Sequence, residues 1–365
     1  MKRFKILIVW LLVIGQPDVL FCDYVMMVLF AGTGNSKVFQ MDDNGVMSHQ
    51  YDLILTDRNE PMELCFSPDG RWGLVGYDMT QSKPETHITT LLNIDHNRII
   101  HVQNTIDNKY GKFISISPDS EYGIYGGNLK TLKYINHYNY NIIPTDNKYI
   151  AHWSGGFSKL NNYLYTDDIY RPGIIQECTI TDDGKTTTTG VVVDISPATA
   201  FQGVYVSPDG KTCIALSTGT YNITSLRINK DVGLSLAHQY EHTDSSPVDI
   251  GFTPNSCYFL VSFFDCDGSD GGELRSFSID DESKISFVNS INLPQCPHRM
   301  AVTPDGKYAV IAGVLLGTTY FCVVEINEDG TLTYLPEKDF EYPGLINKFA
   351  FVPPYKGEGT SFMVY

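Results

Sequence analysis

The sequence lacks the short motifs that define several common classes of enzyme. Its 365 residues contain no Gly-x-Ser-x-Gly elbow, no glycine-rich phosphate loop and no paired histidine motif for zinc. Cys-x-x-Cys pairs for zinc or redox chemistry are also absent, as is the Cys-x-x-Cys-His signature of haem attachment. These absences leave the architecture, rather than a catalytic signature, as the most informative part of the sequence.

Basic residues and long apolar runs are both scarce. The chain has 26 lysines and arginines against 42 aspartates and glutamates, a net charge of −16. Such a surface repels phosphate backbones, so we expect no nucleic-acid partner. The apolar stretch at residues 6–14 is too short for a bilayer span, which takes about 20 residues. No membrane span is therefore expected.

The N-terminus has the organisation of a secretory signal. Three basic residues precede the apolar stretch, and glycine and proline end it. This order predicts a signal peptide over residues 1–22 and a single domain over residues 23–365 that is secreted or periplasmic. A lipid on Cys22 is a minor alternative, because Leu20-Phe21 lacks the small residues of a lipoprotein site.

One phrase recurs seven times along the rest of the chain. Five copies read Ser/Thr-Pro-Asp/Asn-Gly/Ser, and each follows a short apolar alternation. The steps between copies, about 41–50 residues, are typical of propeller blades. The copies are Ser67-Pro68-Asp69-Gly70, Ser117-Pro118-Asp119-Ser120, Ser207-Pro208-Asp209-Gly210, Thr253-Pro254-Asn255-Ser256 and Thr303-Pro304-Asp305-Gly306, with degenerate copies at Phe157-Ser158-Lys159 and Phe351-Val352-Pro353.

Each repeat divides into four predicted strands, and the last full repeat is the clearest. Residues 298–303 alternate, Pro304-Asp305-Gly306 turns the chain, and strands follow at residues 308–314, 320–326 and 331–335. Four-stranded sheets with two apolar faces are stable when they are arranged radially, each packed on its neighbours. The sequence therefore predicts an all-β, seven-bladed propeller.

The two ends of the domain are predicted to share one blade. Residues 24–32, 36–41 and 49–53 read as the second, third and fourth strands of a blade that has no inner strand before them. Residues 347–351, at the far end, read as an inner strand. N- and C-terminal strands would thus close the ring. Residues 361–365 also read as a strand, but the pattern does not determine where that strand lies in the ring.

The repeat resembles that of the seven-bladed propellers that include the lactonase-type propellers and the Tyr-Val-Thr-Asn repeat proteins. The closest copy is Pro-His-Arg-Met-Ala-Val-Thr-Pro-Asp-Gly-Lys-Tyr at residues 297–308, and residues 274–280 resemble the family's third strand. The likeness covers nearly the whole domain. It implies the fold and, more weakly, a lactonase activity like that of 6-phosphogluconolactonase, because enzymes, surface proteins and redox subunits share this blade motif.

The sequence departs from the lactonase-type pattern at the start of an inner strand. Lactonase-type members tend to carry Arg-His there, with acidic and further arginine residues across the channel. This chain has His298-Arg299, in the reverse order and in one blade. In strict alternation, reversing two residues sends each side chain to the opposite side of the strand. The order therefore argues against an unchanged lactonase site.

Charged residues are predicted to converge at one mouth of the central channel. Aligning the repeats on the Ser/Thr-Pro step puts two acids and two bases at one equivalent position of four blades, beside a histidine that titrates near neutrality. Such a cluster can bind a polar ligand or hold a hydrolytic water, or its charges can pair and close the channel. The candidate catalytic residues are His298, Arg299, Asp249 and Glu63, and the candidate ligand-binding residues are Lys348 and Gln202.

An acidic, glycine-rich loop at residues 264–273 is a second candidate site. Its alternating carboxylates suit calcium, which takes six to eight oxygen ligands. The loop departs from an EF-hand, because Asp270 occupies the position of the invariant glycine. A solvated turn explains the pattern equally well, and no other cofactor is expected. The candidate ligands are Asp265, Asp267, Asp270 and Glu273.

Seven cysteines follow the predicted signal peptide, and most lie in strand-like runs. A free cysteine in such a run behaves as a small buried apolar residue. Cys266 and Cys296 differ because both lie in predicted loops. In an oxidising compartment these two residues form the predicted disulfide.

Three functions stay open at this point. The leading hypothesis is a non-catalytic binding or scaffolding module that holds a protein or a small polar ligand, because the fold signal is complete and no catalytic set is recognisable. The alternative is a lactone hydrolase that uses His298, Arg299 and an acid across the channel, Asp249 or Glu63. A third hypothesis is the propeller subunit of an extracytoplasmic redox complex whose partner carries the cofactor.

The first two hypotheses differ in what they predict for the channel mouth. The enzyme hypothesis predicts that His298, Arg299 and Asp249 point into one water-filled pocket. The scaffold hypothesis predicts that they pair with each other, or that the surface carries a contiguous apolar patch.

Overall fold

The computed structural model describes most of the predicted domain. Among the described residues the chain forms 29 β-strands and one short 3-10 helix, and none of the helical segments there is long and apolar enough to cross a bilayer. The described residues are 24–31, 35–55, 60–77, 88–107, 114–125, 130–136, 139–143, 154–161, 163–167, 173–181, 185–195, 201–231, 233–241, 245–264, 271–315 and 317–355.

The strands are numbered in chain order. The first fifteen are β1 (Tyr24–Phe30), β2 (Asn35–Met41), β3 (Met47–Ile54), β4 (Pro61–Phe66), β5 (Trp72–Tyr77), β6 (Ile88–Ile94), β7 (Ile100–Asp107), β8 (Ile114–Ile116), β9 (Tyr122–Tyr125), β10 (Lys130–Asn136), β11 (Asn139–Ile143), β12 (Gly155–Phe157), β13 (Leu164–Asp167), β14 (Ile174–Ile180) and β15 (Thr186–Asp194). The remaining strands are β16 (Phe201–Val206), β17 (Thr212–Ser217), β18 (Asn222–Ile228), β19 (Leu234–Glu241), β20 (Ser246–Phe252), β21 (Tyr258–Phe264), β22 (Gly272–Ile279), β23 (Ile285–Leu293), β24 (Pro297–Val302), β25 (Tyr308–Leu315), β26 (Thr318–Ile326), β27 (Leu332–Tyr334), β28 (Phe340–Pro343) and β29 (Ile346–Phe351).

These strands form seven antiparallel sheets arranged as the blades of a propeller. Blade 1 consists of β29, β1, β2 and β3 from the channel outward, and blades 2 to 7 each begin with the next inner strand along the chain: β4, β8, β12, β16, β20 and β24. Each inner strand contacts the inner strands of both neighbouring blades, and β24 contacts β29. The ring is therefore closed, and the predicted seven-bladed propeller is confirmed.

The two ends of the domain share blade 1, as the sequence predicts. Strand β29 pairs antiparallel with β1, with Met26 opposite Phe351 and Met27 opposite Ala350. Successive side chains of a strand point to opposite faces. Met26 accordingly packs in the core between blades 7 and 1, and Met27 packs in the core between blades 1 and 2. Both faces of the closing blade are thus buried.

Blade 7 differs from the predicted four strands because its outer strand is divided. Strand β27 pairs with the end of β26, whereas β28 pairs with its beginning, and the 3-10 turn Pro336–Lys338 separates them. In β28, Phe340 stacks on Phe321 with ring centres 4.4 Å apart. Tyr342 contacts Phe30 of blade 1, with ring centres 5.4 Å apart. The fifth strand therefore covers the seam between the last and first blades.

The Ser/Thr-Pro-Asp turns form as the sequence predicts, at the end of each inner strand opposite to the candidate site. In the Ser207 copy, the Gly210 N–H donates to the Ser207 carbonyl (2.8 Å), and the Ser207 hydroxyl donates to Asp209 Oδ1 (2.6 Å). The Lys211 N–H also donates to Asp209 Oδ1 (3.0 Å). The same three bonds recur in the copies that begin at Ser67, Ser117, Thr253 and Thr303.

The last residue of each turn packs on the turn of the preceding blade. Gly210 has φ +76°, and a Cβ there would lie 2.4 Å from the backbone nitrogen of Lys159 in blade 4. Ser256 takes the same left-handed conformation in blade 6, and its hydroxyl accepts the Asp209 N–H of blade 5 (2.9 Å). The turns thus connect neighbouring blades as well as reversing the chain.

This packing predicts a large effect of adding one methyl group at Gly210. Gly210→Ala should lower the free energy of unfolding by about 3 kcal/mol, because a left-handed alanine costs about 1 kcal/mol and the backbone of blade 4 blocks its Cβ. Gly190→Ala is the matched control: φ is +86° there, but no atom lies within 4 Å of a Cβ. We expect the control to lose about 1 kcal/mol in urea denaturation. Equal losses in the two variants would contradict the proposed packing.

Candidate functional site

The inner strands of five blades carry the same irregularity at the channel mouth. In each strand one residue is skipped in the pairing with the second strand, which is a β-bulge. Each aligned candidate residue directly follows such a bulge. A bulge interrupts the alternation of side chains and redirects them. The skipped residues are Met62, Gln202, Val248, His298 and Asn347.

The bulge changes how the order of His298 and Arg299 is interpreted. Pro297 pairs with Gly313 of β25, and Met300 pairs with Ile311. His298 and Arg299, which lie between them, are therefore opposite a single residue of β25. Strict alternation therefore does not hold at this position, although the sequence argument assumed it. The reversed order by itself does not place the two side chains on exchanged sides.

Asp249 lies beneath the mouth rather than in it. Its side chain is 2% exposed, and Oδ1 accepts the N–H of Ile250 (3.0 Å). Oδ2 accepts the N–H of Met300 in blade 7 (2.9 Å) and lies 3.5 Å from Nζ of Lys348 in blade 1. Lys348 is 20% exposed. Asp249 and Lys348 thus lie close together, with the acid buried and its oxygens engaged and the base partly exposed. Their catalytic and ligand-binding roles stay predictions.

Arg299 joins blade 7 to blade 1. Its Nε donates to the carbonyl of Asn347 (2.6 Å), and Nη1 donates to the carbonyl of His298 (2.9 Å). Asn347, which the sequence analysis did not select, donates from Nδ2 to Glu60 Oε1 (3.0 Å) and to the Pro61 carbonyl (2.8 Å) of blade 2. Its position, equivalent to that of His298, was the signal that could have identified it.

His298 is a half-buried imidazole at this mouth. Phe264 of blade 6 contacts its ring edge-on, with ring centres 5.7 Å apart. Burial lowers the pKa of His298 below its ordinary value of 6.5, and the positive charge of Arg299 lowers it further. The imidazole is therefore neutral at pH 7 and keeps one ring nitrogen with a free electron pair.

The two other predicted mouth residues are Glu63 and Gln202. Glu63, on β4 of blade 2, is half-buried, and among the described residues its carboxylate has no hydrogen-bond or ion-pair partner. Gln202 is the bulged residue of β16, and its ligand-binding role stays a prediction.

The mouth thus combines groups of different charge. Arg299, Lys348 and the neutral imidazole of His298 come from two adjacent blades, and the half-buried carboxylate of Glu63 comes from the next. Such a set can accept a proton from water and stabilise a developing negative charge on oxygen. The enzyme hypothesis predicted that His298, Arg299 and Asp249 all point into one water-filled pocket. Asp249 is instead buried and paired with Lys348, so it does not line such a pocket.

Most of the predicted calcium loop lies outside the described residues. This applies to Asp265, Asp267 and Asp270, and calcium binding there stays a prediction. Glu273 is described, and its carboxylate pairs with Nη2 of Arg275. Throughout the part of the chain that the structure describes, no group of three or more His, Cys, Asp or Glu side chains is arranged to hold a metal ion.

The predicted disulfide is described at one end. Cys296 is disulfide-bonded, whereas Cys266 lies outside the described residues, so their pairing stays a prediction. Cys178, Cys213 and Cys322 are free and buried in strands, as expected. Burial raises the pKa of the Cys213 thiol to about 12, which makes it unreactive at neutral pH.

Comparison with known proteins bears on the fold alone. No protein-family model matches the sequence, and no curated protein is similar to it in sequence. Solved structures match it closely in shape at low identity. A protein from Bacteroides fragilis, described provisionally as a 6-phosphogluconolactonase, superposes with a TM-score of 0.73 at 15% identity, over 92% of this chain and 99% of its own.

Two further solved structures show how widely this fold is used. A periplasmic gluconolactonase from Pseudomonas aeruginosa has a TM-score of 0.71 at 14% identity, over 90% of this chain and 99% of its own. A hypothetical selenium-binding protein from Sulfolobus tokodaii has a TM-score of 0.63 at 10% identity, over 90% and 93% of the two chains. This chain therefore has the seven-bladed propeller fold found in lactonase-type proteins, and its activity has to be argued from the mouth of its channel.

Proposed function

We propose that the protein is a lactone hydrolase whose site is the channel mouth formed by blades 6, 7, 1 and 2. The observation that carries this proposal is a neutral, half-buried imidazole, His298, next to the guanidinium of Arg299. A general base needs a pKa near or below the working pH, and an acyl-transfer site needs a cation or N–H donor for the oxyanion. Both requirements are met by adjacent residues.

The reaction follows from these roles. His298 takes a proton from a water molecule whose oxygen attacks the carbonyl carbon of the lactone. The carbonyl electron pair moves to its oxygen, and the cationic groups of Arg299 and Lys348 stabilise the resulting oxyanion. When the oxyanion collapses, the ring C–O bond breaks and the protonated His298 returns the proton to the ring oxygen. The product is the open hydroxy acid, and no other reactant is consumed.

The fold supports this proposal over a binding module, which the sequence alone had favoured. Two of the similar structures are described as lactonases, one of them acting on gluconolactone and the other, provisionally, on a 6-phosphogluconolactone. Sugar lactones are therefore the substrate class that we propose. The N-terminal signal pattern supports a location outside the cytoplasm, secreted or periplasmic.

Substitution of the two central residues tests the proposal. With glucono-lactone as substrate, His298→Ala should lower kcat about 100- to 10,000-fold through loss of the general base. Arg299→Ala should lower kcat about 100-fold or more through loss of oxyanion stabilisation. Lys211→Ala is the matched control, because it removes an equal charge from an exposed turn at the opposite end of blade 5. Folded wild-type protein that turns over neither the free nor the phosphorylated sugar lactone would refute the proposal.

The pKa of His298 also predicts the pH dependence of the reaction. Its base form grows as the pH rises, so kcat/KM should increase through a midpoint below 6.5 and stay level at neutral pH. Burial is the main cause of the low pKa, so Phe264→Ala should move the midpoint up toward 6.5 by exposing the ring. Phe287→Ala, an exposed phenylalanine on the outer strand of the same blade, should leave it unchanged. A midpoint above 6.5 in the wild type would contradict this role for His298.

A further inference from the structure

One position of the repeat makes the same bond between blades in two places. In blade 4, the Ser154 hydroxyl accepts the N–H of Val204 in blade 5 (2.9 Å). In blade 6, Asp249 Oδ2 accepts the N–H of Met300 in blade 7 (2.9 Å). Ser154 and Asp249 are equivalent in the repeat, and so are Val204 and Met300. A short neutral hydroxyl is therefore sufficient to tie one inner strand to the next.

Asp249 makes this bond with a group that is much more costly to bury. Its carboxylate is 2% exposed, and a buried charge destabilises the fold unless hydrogen bonds and an opposite charge compensate it. Serine at the equivalent position avoids that cost. A neutral serine could not balance the positive charge of the Lys348 ammonium, whose Nζ lies 3.5 Å from Asp249 Oδ2. The charge of Asp249 is thus explained by Lys348 and not by the bond between blades.

We infer that Asp249 is a positioning residue of the proposed site, which fixes the Lys348 ammonium of blade 1 and links it to the strand of blade 7 that carries Arg299. This inference rests on the proposed function. Asp249 reaches both cations: one directly, and the other through the N–H of Met300, the residue after Arg299. Its oxygens are occupied from within the protein, so it exchanges no proton with the substrate.

The first arm of the test measures the position of Lys348 without any need for activity. Lysines are methylated with ¹³C, and the Lys348 signal is identified by its loss in Lys348→Arg. Asp249→Asn and Asp249→Ser keep an acceptor for the Met300 N–H but remove the charge. We expect the Lys348 signal to move to the shifts of exposed lysines in both variants. A signal that does not move would overturn the inference.

The second arm measures coupling in the hydrolysis of glucono-lactone. Asp249→Asn and Lys348→Met should each lower kcat/KM about tenfold, and the double variant should lose no more than either alone, because one residue acts through the other. Additive losses, about 100-fold in the double variant, would overturn the inference. Ser154→Ala is the matched control: it breaks the equivalent bond between blades, so it should lower Tm and leave kcat/KM and the Lys348 signal unchanged.

The two arms separate this inference from the proposed function. If the wild type hydrolyses no lactone, the proposed function fails, whereas the Lys348 signal still decides whether Asp249 positions that ammonium. If the wild type is active and Asp249→Asn lowers only Tm, as Ser154→Ala does, Asp249 is structural and the inference is wrong.

Discussion

The pairing of β29 with β1 is the interaction on which the rest of the molecule depends. A four-stranded blade with two apolar faces needs a neighbour on each side, and a ring supplies both only when it is closed. In blade 1 the even-numbered residues of β1, such as Met26, pack toward blade 7, and the odd-numbered ones, such as Met27, pack toward blade 2. Without β29 that blade would expose its inner edge and both adjoining cores would lose part of their packing.

The same closure assembles the candidate site. Lys348 and Asn347 belong to the closing strand itself. Hydrogen bonds join Met300 of blade 7 to Asp249 of blade 6, Arg299 of blade 7 to Asn347 of blade 1, and Asn347 to Pro61 of blade 2. Groups that lie far apart in the chain therefore meet only after the ring has closed. Stability and the chemistry of the mouth are consequently coupled, since the bonds that align the cations also join the blades.

Electrostatics at the mouth follow from burial as much as from composition. The chain has a net charge of −16, yet the groups that face the mouth include Arg299 and Lys348. Burying Asp249 leaves its negative charge beneath the surface, where it balances Lys348. Partial burial against Phe264 keeps His298 neutral, which is the form that a general base requires.

The sequence by itself determined the number of blades, the turns and the shared closing blade, because each follows from local chemistry repeated at a regular interval. A proline, an aspartate and a left-handed glycine specify a turn such as Ser207–Gly210 within four residues. The alignment of repeats also gave Asp249, Arg299 and Lys348 equivalent positions in three blades. Tertiary structure alone decided the bulge at His298, the burial of Asp249 and the covering strand β28. These depend on contacts between residues about 50 to 100 positions apart or more, for which a single sequence carries no periodic signal.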